Sequence, residues 1–150
     1  MAESTLRVTG RVLVELWGPD GRLLKVVRGE NLVVDAGKEL LANILQNGGA
    51  NRPSHIGIGT SNAAVAPGQT ALQGTELARV AFAATYPQLS GATVIYKSSF
   101  GPGVGTGTVE EAGVFNAGTL GTMLSRFLTG TFNKGAGSIL DVTWSLTFGV

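Results

Sequence analysis

The sequence predicts a mainly β protein, either an antiparallel β-sandwich or a jelly-roll-like barrel, with one short α-helix over about residues 35–46. Apolar and polar residues alternate near both ends of the chain, as they do in strands with one buried face. The 23 glycines have no fixed period, which indicates many turns between short strands. About eight to ten strands are expected, in one domain over residues 6–150 that follows a polar N-terminal arm at 1–5.

The chain begins with a predicted hairpin. The Gly-Pro-Asp-Gly sequence at 18–21 contains residues that favour a tight turn. A second strand is expected over 23–28, and Gly29 and Glu30 are predicted to end it. The first strand, over residues 6–17, has an apolar face that consists of Val8, Gly10, Val12, Val14 and Leu16.

The only helix is expected after a short extended segment at 31–34. Asp35 is its predicted N-cap, because an aspartate side chain can accept a hydrogen bond from a free backbone N–H at a helix start. Gly48 and Gly49 follow the helix and are typical of a helix C-terminus. One apolar face is expected to pack on the sheet, and it consists of Leu40, Leu41, Ile44 and Leu45.

The middle of the chain combines strands with a long irregular segment. A short strand is predicted at 55–59. Residues 60–75 are rich in small residues without an apolar period, so they are predicted to form a long surface loop. Residues 76–86 are interpreted as a strand rather than a helix, because Pro87 closes the segment and another β-branched run follows at 92–96.

The last third of the chain predicts three further strands. Two arms at 109–115 and 122–128 are joined by a glycine-bearing turn, and another turn is predicted at 133–138. The final strand should lie at the centre of the core, since burial of each large side chain contributes roughly 1.5–3 kcal/mol. Its apolar face consists of Leu140, Val142, Trp144, Leu146 and Phe148.

The composition excludes several classes of function. The chain has no cysteine, which excludes disulfides and thiolate metal sites. Its net charge of +1 and its 14% of charged residues provide no basic stripe for nucleic acid. No apolar stretch is long enough to span a membrane, and residues 1–5 do not begin a signal peptide. A protein made and initially retained inside the cell, with neither nucleic acid nor membrane as a partner, is therefore expected.

No residue pattern predicts catalysis. His55 is the only histidine, and the neighbouring Ser54 is expected to point away from it, as adjacent strand residues do. No cluster of Asp, Glu and His has the spacing of metal ligands. The sequence therefore predicts no catalytic residue, no cofactor and no metal ligand, and the protein is not expected to be an enzyme.

The two adjacent glutamates in the first arm are expected to have structural roles. Neighbouring strand residues face opposite sides, so Glu110 and Glu111 cannot act jointly on one bond. One of them is expected to pair with Arg126 on the second arm or with Arg79, while the other faces a partner.

Three segments of the chain carry a resemblance to a known group of proteins. The first is NLVVDAGK at 31–38, followed by the leucine-rich helix. The second is IGIGT at 56–60, with a small-residue loop that ends in TAL at 70–72. The third is EEAGVFNA at 110–117, followed by GTMLSR at 121–126. In this order they resemble tailed-bacteriophage virion proteins that include capsid decoration (cement) proteins and some tail-associated proteins.

The resemblance covers about residues 31–148 and implies a non-enzymatic structural role. A decoration protein would be made in the host cytoplasm and would bind the outer surface of the expanded capsid as a homotrimer. Its partner would be the major capsid protein, and its binding would stabilise the head against internal DNA pressure. The residues expected to contact partners lie in the N-terminal segment and the 60–75 loop: Ser4, Thr5, Leu6, Arg7, Trp17, Ala66 and Pro67.

Two alternatives remain open from the sequence. The first is a structural protein of the phage tail or baseplate, which the same three segments also resemble. The second is a carbohydrate-binding β-sandwich, which would present exposed aromatic side chains on a concave face. Burial of all four candidates would exclude this second alternative: Trp17, Trp144, Tyr86 and Tyr96.

Overall fold

The computed structural model describes residues 5–149, so residues 1–4 of the predicted arm lie outside it. Within that range the chain is mainly β with one short helix, which confirms the predicted fold class. The elements in chain order are β1 (Arg7–Trp17), β2 (Leu23–Val33), α1 (Asp35–Leu45), β3 (His55–Gly59), β4 (Glu76–Ala81), β5 (Gln88–Ser90), β6 (Thr93–Phe100), β7 (Gly107–Phe115), β8 (Met123–Lys134) and β9 (Ile139–Gly149).

The strands form one curled antiparallel sheet in the order β4-β3-β7-β8-β2-β1-β9-β6-β5. The sheet turns its corner at β2, which pairs with β1 over most of its length but with β8 only at Leu32 and Val33. The two sides meet again where the Ser98 hydroxyl of β6 donates to the Val80 and Ala81 carbonyls, at 3.0 and 3.2 Å. The sheet is therefore a half-barrel around one core.

The core lies between β1 and β9 on one side and β7 and β8 on the other. The alternation predicted for the last strand is confirmed up to Leu146, and Phe148 is half-buried. Trp144 is fully buried and lies opposite Val12 of β1. The ring of Phe127 from β8 meets Trp144 edge-on, with the ring centroids 6.3 Å apart. This arrangement is favourable for two aromatic rings.

Gly29 and Glu30 do not end the second strand, so that prediction was wrong. Both residues continue the pairing with β1, where Gly29 lies opposite Val12 and Glu30 lies opposite Arg11. A Cβ atom at Gly29 would lie only 2.7 Å from a ring carbon of Phe127. The glycine therefore permits close packing of an aromatic ring rather than termination of a strand.

The helix is confirmed, but its ends differ from the prediction. Val34 is the N-cap, no side chain of the described residues caps the helix, and Asp35 is its first helical residue. Leu45 was predicted on the packed face but is 85% exposed. The helix instead approaches β8 through Gly37, which lies against the Leu124 carbonyl where no side chain would fit. This contact fixes the start of α1 on the sheet.

Two predicted strands have different lengths in the structure. β4 stops at Ala81 instead of continuing to residue 86, because Phe82 turns towards the core and stacks on Tyr96 with the ring centroids 4.7 Å apart. β8 continues past residue 128 to Lys134. An irregularity in its pairing with β7 absorbs extra residues there, and Gly130 has a φ of 71°, which favours glycine.

Candidate functional site

The predicted partner-binding residues lie in separate parts of the molecule. Ser4 lies outside the described residues. Thr5, Leu6 and Arg7 are exposed at the start of β1, whereas Trp17 is half-buried at its other end. Since a strand rises about 3.3 Å per residue, the two ends of β1 are about 33 Å apart. The structure therefore does not bring these residues together into one contact surface.

Ala66 and Pro67 are exposed in the irregular segment at 60–75. The Pro67 carbonyl accepts a hydrogen bond of 2.8 Å from the backbone N–H of Asp35, at the start of α1. Because β2 leads directly into α1, this segment lies towards the corner of the sheet. We call residues 60–75 the anchored loop, because the contacts described next hold it in place.

A buried ion pair lies beneath the anchored loop. Arg126 Nε of β8 donates to Glu111 Oε1 of β7 at 2.9 Å, and neither side chain has any exposed surface. Arg126 lies opposite Gly113, two residues from Glu111 and therefore on the same face of the sheet. Glu110 faces the other side and accepts a 2.7 Å hydrogen bond from the Thr131 hydroxyl.

Backbone groups of the anchored loop complete the hydrogen bonding of the Glu111 carboxylate. Oε2 accepts from the backbone N–H groups of Ser61 and Gly74, at 2.9 and 2.8 Å. Oε1 accepts from the N–H of Gln73 at 2.8 Å, in addition to Arg126. A buried carboxylate is costly unless it is paired and hydrogen-bonded, and these four bonds meet that requirement.

The Arg126 guanidinium binds the same loop through its remaining donors. Nη1 donates to the Ala63 carbonyl at 2.7 Å and to Gln69 Oε1 at 3.2 Å. Nη2 donates to the Ser61 carbonyl at 3.2 Å. The ion pair thus joins both ends of the anchored loop to two central strands, and its geometry is that of a structural anchor.

The exposed side of the anchored loop is uncharged. The segment contains no Asp, Glu, Lys or Arg. Leu72 packs inwards against the buried cluster of Val34, Phe115 and Met123. The exposed positions are small or polar: Asn62, Ala63, Ala64, Ala66, Pro67, Gly68, Thr70, Ala71, Gln73, Gly74 and Thr75. This is a shaped surface whose backbone is fixed before any partner arrives.

Sequence reasoning identified the ion pair as a candidate but missed its bonds to the loop. One available signal was Gly59, where an added Cβ would lie 2.8 Å from Glu111 Oε2. A glycine directly before a long uncharged segment, together with a glutamate on the otherwise apolar face of a strand, is the pattern that fits this anchor. Neither feature alone specifies which amides the carboxylate binds.

Arg79 organises a second surface turn beside β3. Its Nε donates to Glu76 Oε1 at 2.8 Å, and its Nη1 donates to the Ala117 and Leu120 carbonyls at 3.1 and 2.7 Å. The guanidinium also lies 3.6 Å from the centroid of the Phe115 ring, in a cation–π contact. Arg79 pairs with Glu76, whereas the sequence had offered Glu110 or Glu111 as its partner.

His55 and Ser54 are in contact, contrary to the prediction that they point apart. Ser54 Oγ lies 2.7 Å from His55 Nδ1, because Ser54 precedes β3 and does not follow its alternation. Burial, and then the nearby Arg79 charge, lower the pKa of His55. No carboxylate forms an ion pair with His55 among residues 5–149, so nothing there orients the imidazole as in a hydrolase triad.

The aromatic residues considered for carbohydrate binding are not exposed. Trp144 and Tyr96 are buried, and burial raises the pKa of Tyr96 to about 12. Trp17 and Tyr86 are half-buried. A carbohydrate platform of exposed rings is therefore not formed by these four residues.

Residues 5–149 were also searched for groups of metal-ligating side chains and for long apolar helices. No group of three or more Asp, Glu or His side chains in this range is arranged to hold a metal ion. In this range no helix has both the length and the apolar character needed to cross a membrane.

The chain was compared with protein-family models, with curated protein sequences and with solved structures, and none of the three comparisons found a match.

Proposed function

We propose that this chain is a non-enzymatic virion structural protein: a capsid decoration protein that binds the outside of the expanded head of a tailed bacteriophage as a homotrimer. One observation carries the proposal. The three sequence segments that resemble phage virion proteins are far apart in the chain but pack together around the Glu111–Arg126 pair. The residues on which the resemblance rests therefore form one structural unit in this chain, and this supports the proposal.

Each of the three segments contributes to that unit. The first supplies the end of β2 and the start of α1, where Gly37 lies against β8. The second supplies β3 and the anchored loop. The third supplies β7 with Glu111 and β8 with Arg126. A sequence pattern that preserves this unit preserves the shape of the anchored loop, which we propose as the surface that binds the major capsid protein.

The physical properties of the anchored loop suit a lattice contact. A loop whose backbone is already fixed loses less conformational entropy when it binds. An uncharged surface also makes the contact insensitive to salt. A ligand that binds only the expanded lattice stabilises that lattice by mass action, and three linked copies increase the effective affinity of each weak contact.

The test is cosedimentation of the purified chain with expanded, DNA-free capsids and, separately, with unexpanded procapsids. The solution mass is first measured by light scattering. Saturable binding to the expanded form alone, by a trimer, is the expected result. If neither form binds, the decoration role is wrong and the tail or baseplate alternative is tested next with tail proteins.

A pair of matched variants locates the contact. Ala66→Arg adds a large cation to the exposed anchored loop and is expected to weaken capsid binding at least about tenfold, which corresponds to about 1.4 kcal/mol. Ala136→Arg makes the same change at an exposed turn after β8 and is expected to bind like the unmodified chain. Equal binding of both variants would exclude the loop from the interface.

A further inference from the structure

A groove on the outer face of the sheet contains two exposed arginines. It lies across β1, β2 and β9, has a volume of about 500 Å³, and is lined in part by Arg11 and Arg28. Both residues are exposed. Neither guanidinium forms an ion pair within residues 5–149, so both remain available to a ligand.

The strand register directs these two arginines to one place. Arg28 of β2 lies opposite Leu13 of β1, and Arg11 lies two residues from Leu13 on the same outward face. Diagonal positions of this kind are roughly 7–8 Å apart at Cα, which is well within the reach of two arginine side chains. Both guanidinium groups can therefore donate to a single oxyanion above Leu13.

The floor and far wall of the groove add hydroxyl groups. Thr143 and Ser145 of β9 lie opposite Leu13 and Arg11 respectively, and both line the groove. Their side chains supply donors and acceptors that suit the polar backbone of a bound chain. Lys97 of β6 lies opposite Thr143 and adds a third cation beside the groove.

The acidic groups near the groove indicate which kind of anion fits. Glu30 lines the groove opposite Arg11, at more than ion-pair distance, since no ion pair forms between them. Glu15 of β1 and Asp141 of β9 lie opposite each other on the same face, two residues beyond Leu13 and Thr143. Their negative charges limit the positive region to the groove. A compact dianion such as phosphate would be repelled by the Glu30 carboxylate. A polypeptide offers a side-chain carboxylate to the arginines and an N–H donor to Glu30.

We propose that this groove binds an acidic segment of a partner polypeptide, with one carboxylate held between Arg11 and Arg28 and a neighbouring backbone N–H donated to Glu30. The groove is separate from the anchored loop, and its ligand is inferred from the positions of Arg11, Arg28 and Glu30 rather than from the capsid proposal. Binding to isolated peptides therefore tests it independently of capsids.

The experiment is a titration of the ¹⁵N-labelled full chain, followed by amide chemical shifts at constant ionic strength. Three probes are compared: the peptide acetyl-Gly-Asp-Gly-Glu-Gly-amide, its Asn/Gln counterpart, and inorganic phosphate. The acidic peptide is expected to produce saturable shifts centred on Arg11, Arg28, Thr143 and Ser145. Tighter binding of phosphate, equal binding of the neutral peptide, or shifts spread over the whole surface would overturn the proposal.

Variants separate the groove from general charge effects. Arg28→Gln is expected to raise the dissociation constant for the acidic peptide about tenfold, because one of two charge-assisted hydrogen bonds is lost. Arg22→Gln removes the same charge from the exposed turn after β1 and is expected to leave the constant unchanged. Equal weakening by both variants would show that the net charge of the protein accounts for the binding, and this would contradict a specific site.

Glu30→Gln tests the selectivity argument directly. Without the Glu30 carboxylate, phosphate is expected to bind several-fold more tightly, whereas the affinity for the acidic peptide is expected to increase less. An unchanged ratio of the two affinities would show that Glu30 does not select the ligand. A solution mass that rises with protein concentration and returns to its lower value in Arg28→Gln would identify a second copy as the occupant, contrary to the proposal.

Discussion

Two irregular segments of this molecule are each held by a buried cation, but the cations are compensated differently. Arg126 holds the anchored loop together with the carboxylate of Glu111. Lys134, also without exposed surface, joins the segment 101–106 to the turn before β9, since its ammonium donates to the carbonyls of Gly101 and Ser138 at 2.9 and 2.7 Å. The first cation has an anion as its partner, and among the described residues the second has only carbonyl oxygens.

The difference follows from how much chain each cation must order. Residues 60–75 have no pairing partner in the sheet, and their N–H groups need a common acceptor, which a carboxylate provides. Residues 101–106 form a much shorter segment, in which Val104 N–H donates to the Gly101 carbonyl at 3.1 Å. A longer loop loses more entropy when it is fixed, so it requires the stronger anchor. Disruption of the ion pair should therefore lower the free energy of unfolding more than replacement of the lysine does.

The largest expected effect is that of Glu111→Ala. This change leaves the Arg126 guanidinium buried without an anion and removes the acceptor for three loop amides. Loss of one partner of a buried pair typically lowers the free energy of unfolding by about 3–5 kcal/mol. Urea denaturation of the variant, measured beside the unmodified chain, gives this difference.

Glu110→Ala is the matched control for that prediction. Glu110 is the adjacent glutamate in β7, but it is only half-buried and bonds an exposed threonine. Its removal is expected to cost about 0–1 kcal/mol. Similar losses for the two variants would mean that the Glu111–Arg126 pair has no special role in stability.

The second prediction separates charge balance from loop anchoring. In the double variant Glu111→Leu with Arg126→Met, both buried charges are removed together, so the loss of stability is expected to be smaller than in Glu111→Ala by about 1–3 kcal/mol. The loop amides still lose their acceptor, and hydrogen exchange at Ser61, Gln73 and Gly74 should accelerate. A double variant with unchanged exchange at these amides would show that the loop is held by other contacts.

These two anchors also explain which parts of the structure were predictable from sequence. The faces of β1 and β9 follow from alternation alone, because burial of a regular apolar row fixes the register. The sequence limits the partner of Arg126 to Glu110 or Glu111, because adjacent strand residues face opposite sides. It does not specify which of the two shares a face with Arg126. The bonds from Glu111 to Ser61, Gln73 and Gly74 join residues far apart in the chain, and no local pattern encodes them.

The errors have a similar physical origin. Gly29 is a strand breaker by local propensity, but Phe127 of a distant strand requires the absence of its side chain. Asp35 is a good N-cap by residue type, but the chain enters the helix one residue earlier, where Val34 N–H donates to the Leu124 carbonyl. In both cases a tertiary contact overrides a local preference.

A smaller effect is expected for Lys134→Met. The replacement leaves the Gly101 and Ser138 carbonyls without this donor, but it also removes a desolvated charge that forms no ion pair within residues 5–149. These two contributions have opposite signs. The free energy of unfolding is therefore expected to change by no more than about 1–2 kcal/mol. A loss as large as that of Glu111→Ala would show that a lone buried lysine anchors its loop as strongly as the ion pair does.

The smallest expected effect is a dependence of stability on pH that is specific to Lys134. Burial lowers the pKa of Lys134 below its ordinary value of 10.5. Between the lowered pKa and 10.5 the unfolded chain binds more protons than the folded chain, so stability rises with pH through that window. The difference in unfolding free energy between the unmodified chain and Lys134→Met should therefore shift in favour of the unmodified chain as the pH is raised towards 10.5. Lys38→Met, at an exposed position of α1, is the control. If its pH dependence matches that of Lys134→Met, burial of the Lys134 amine is not the cause.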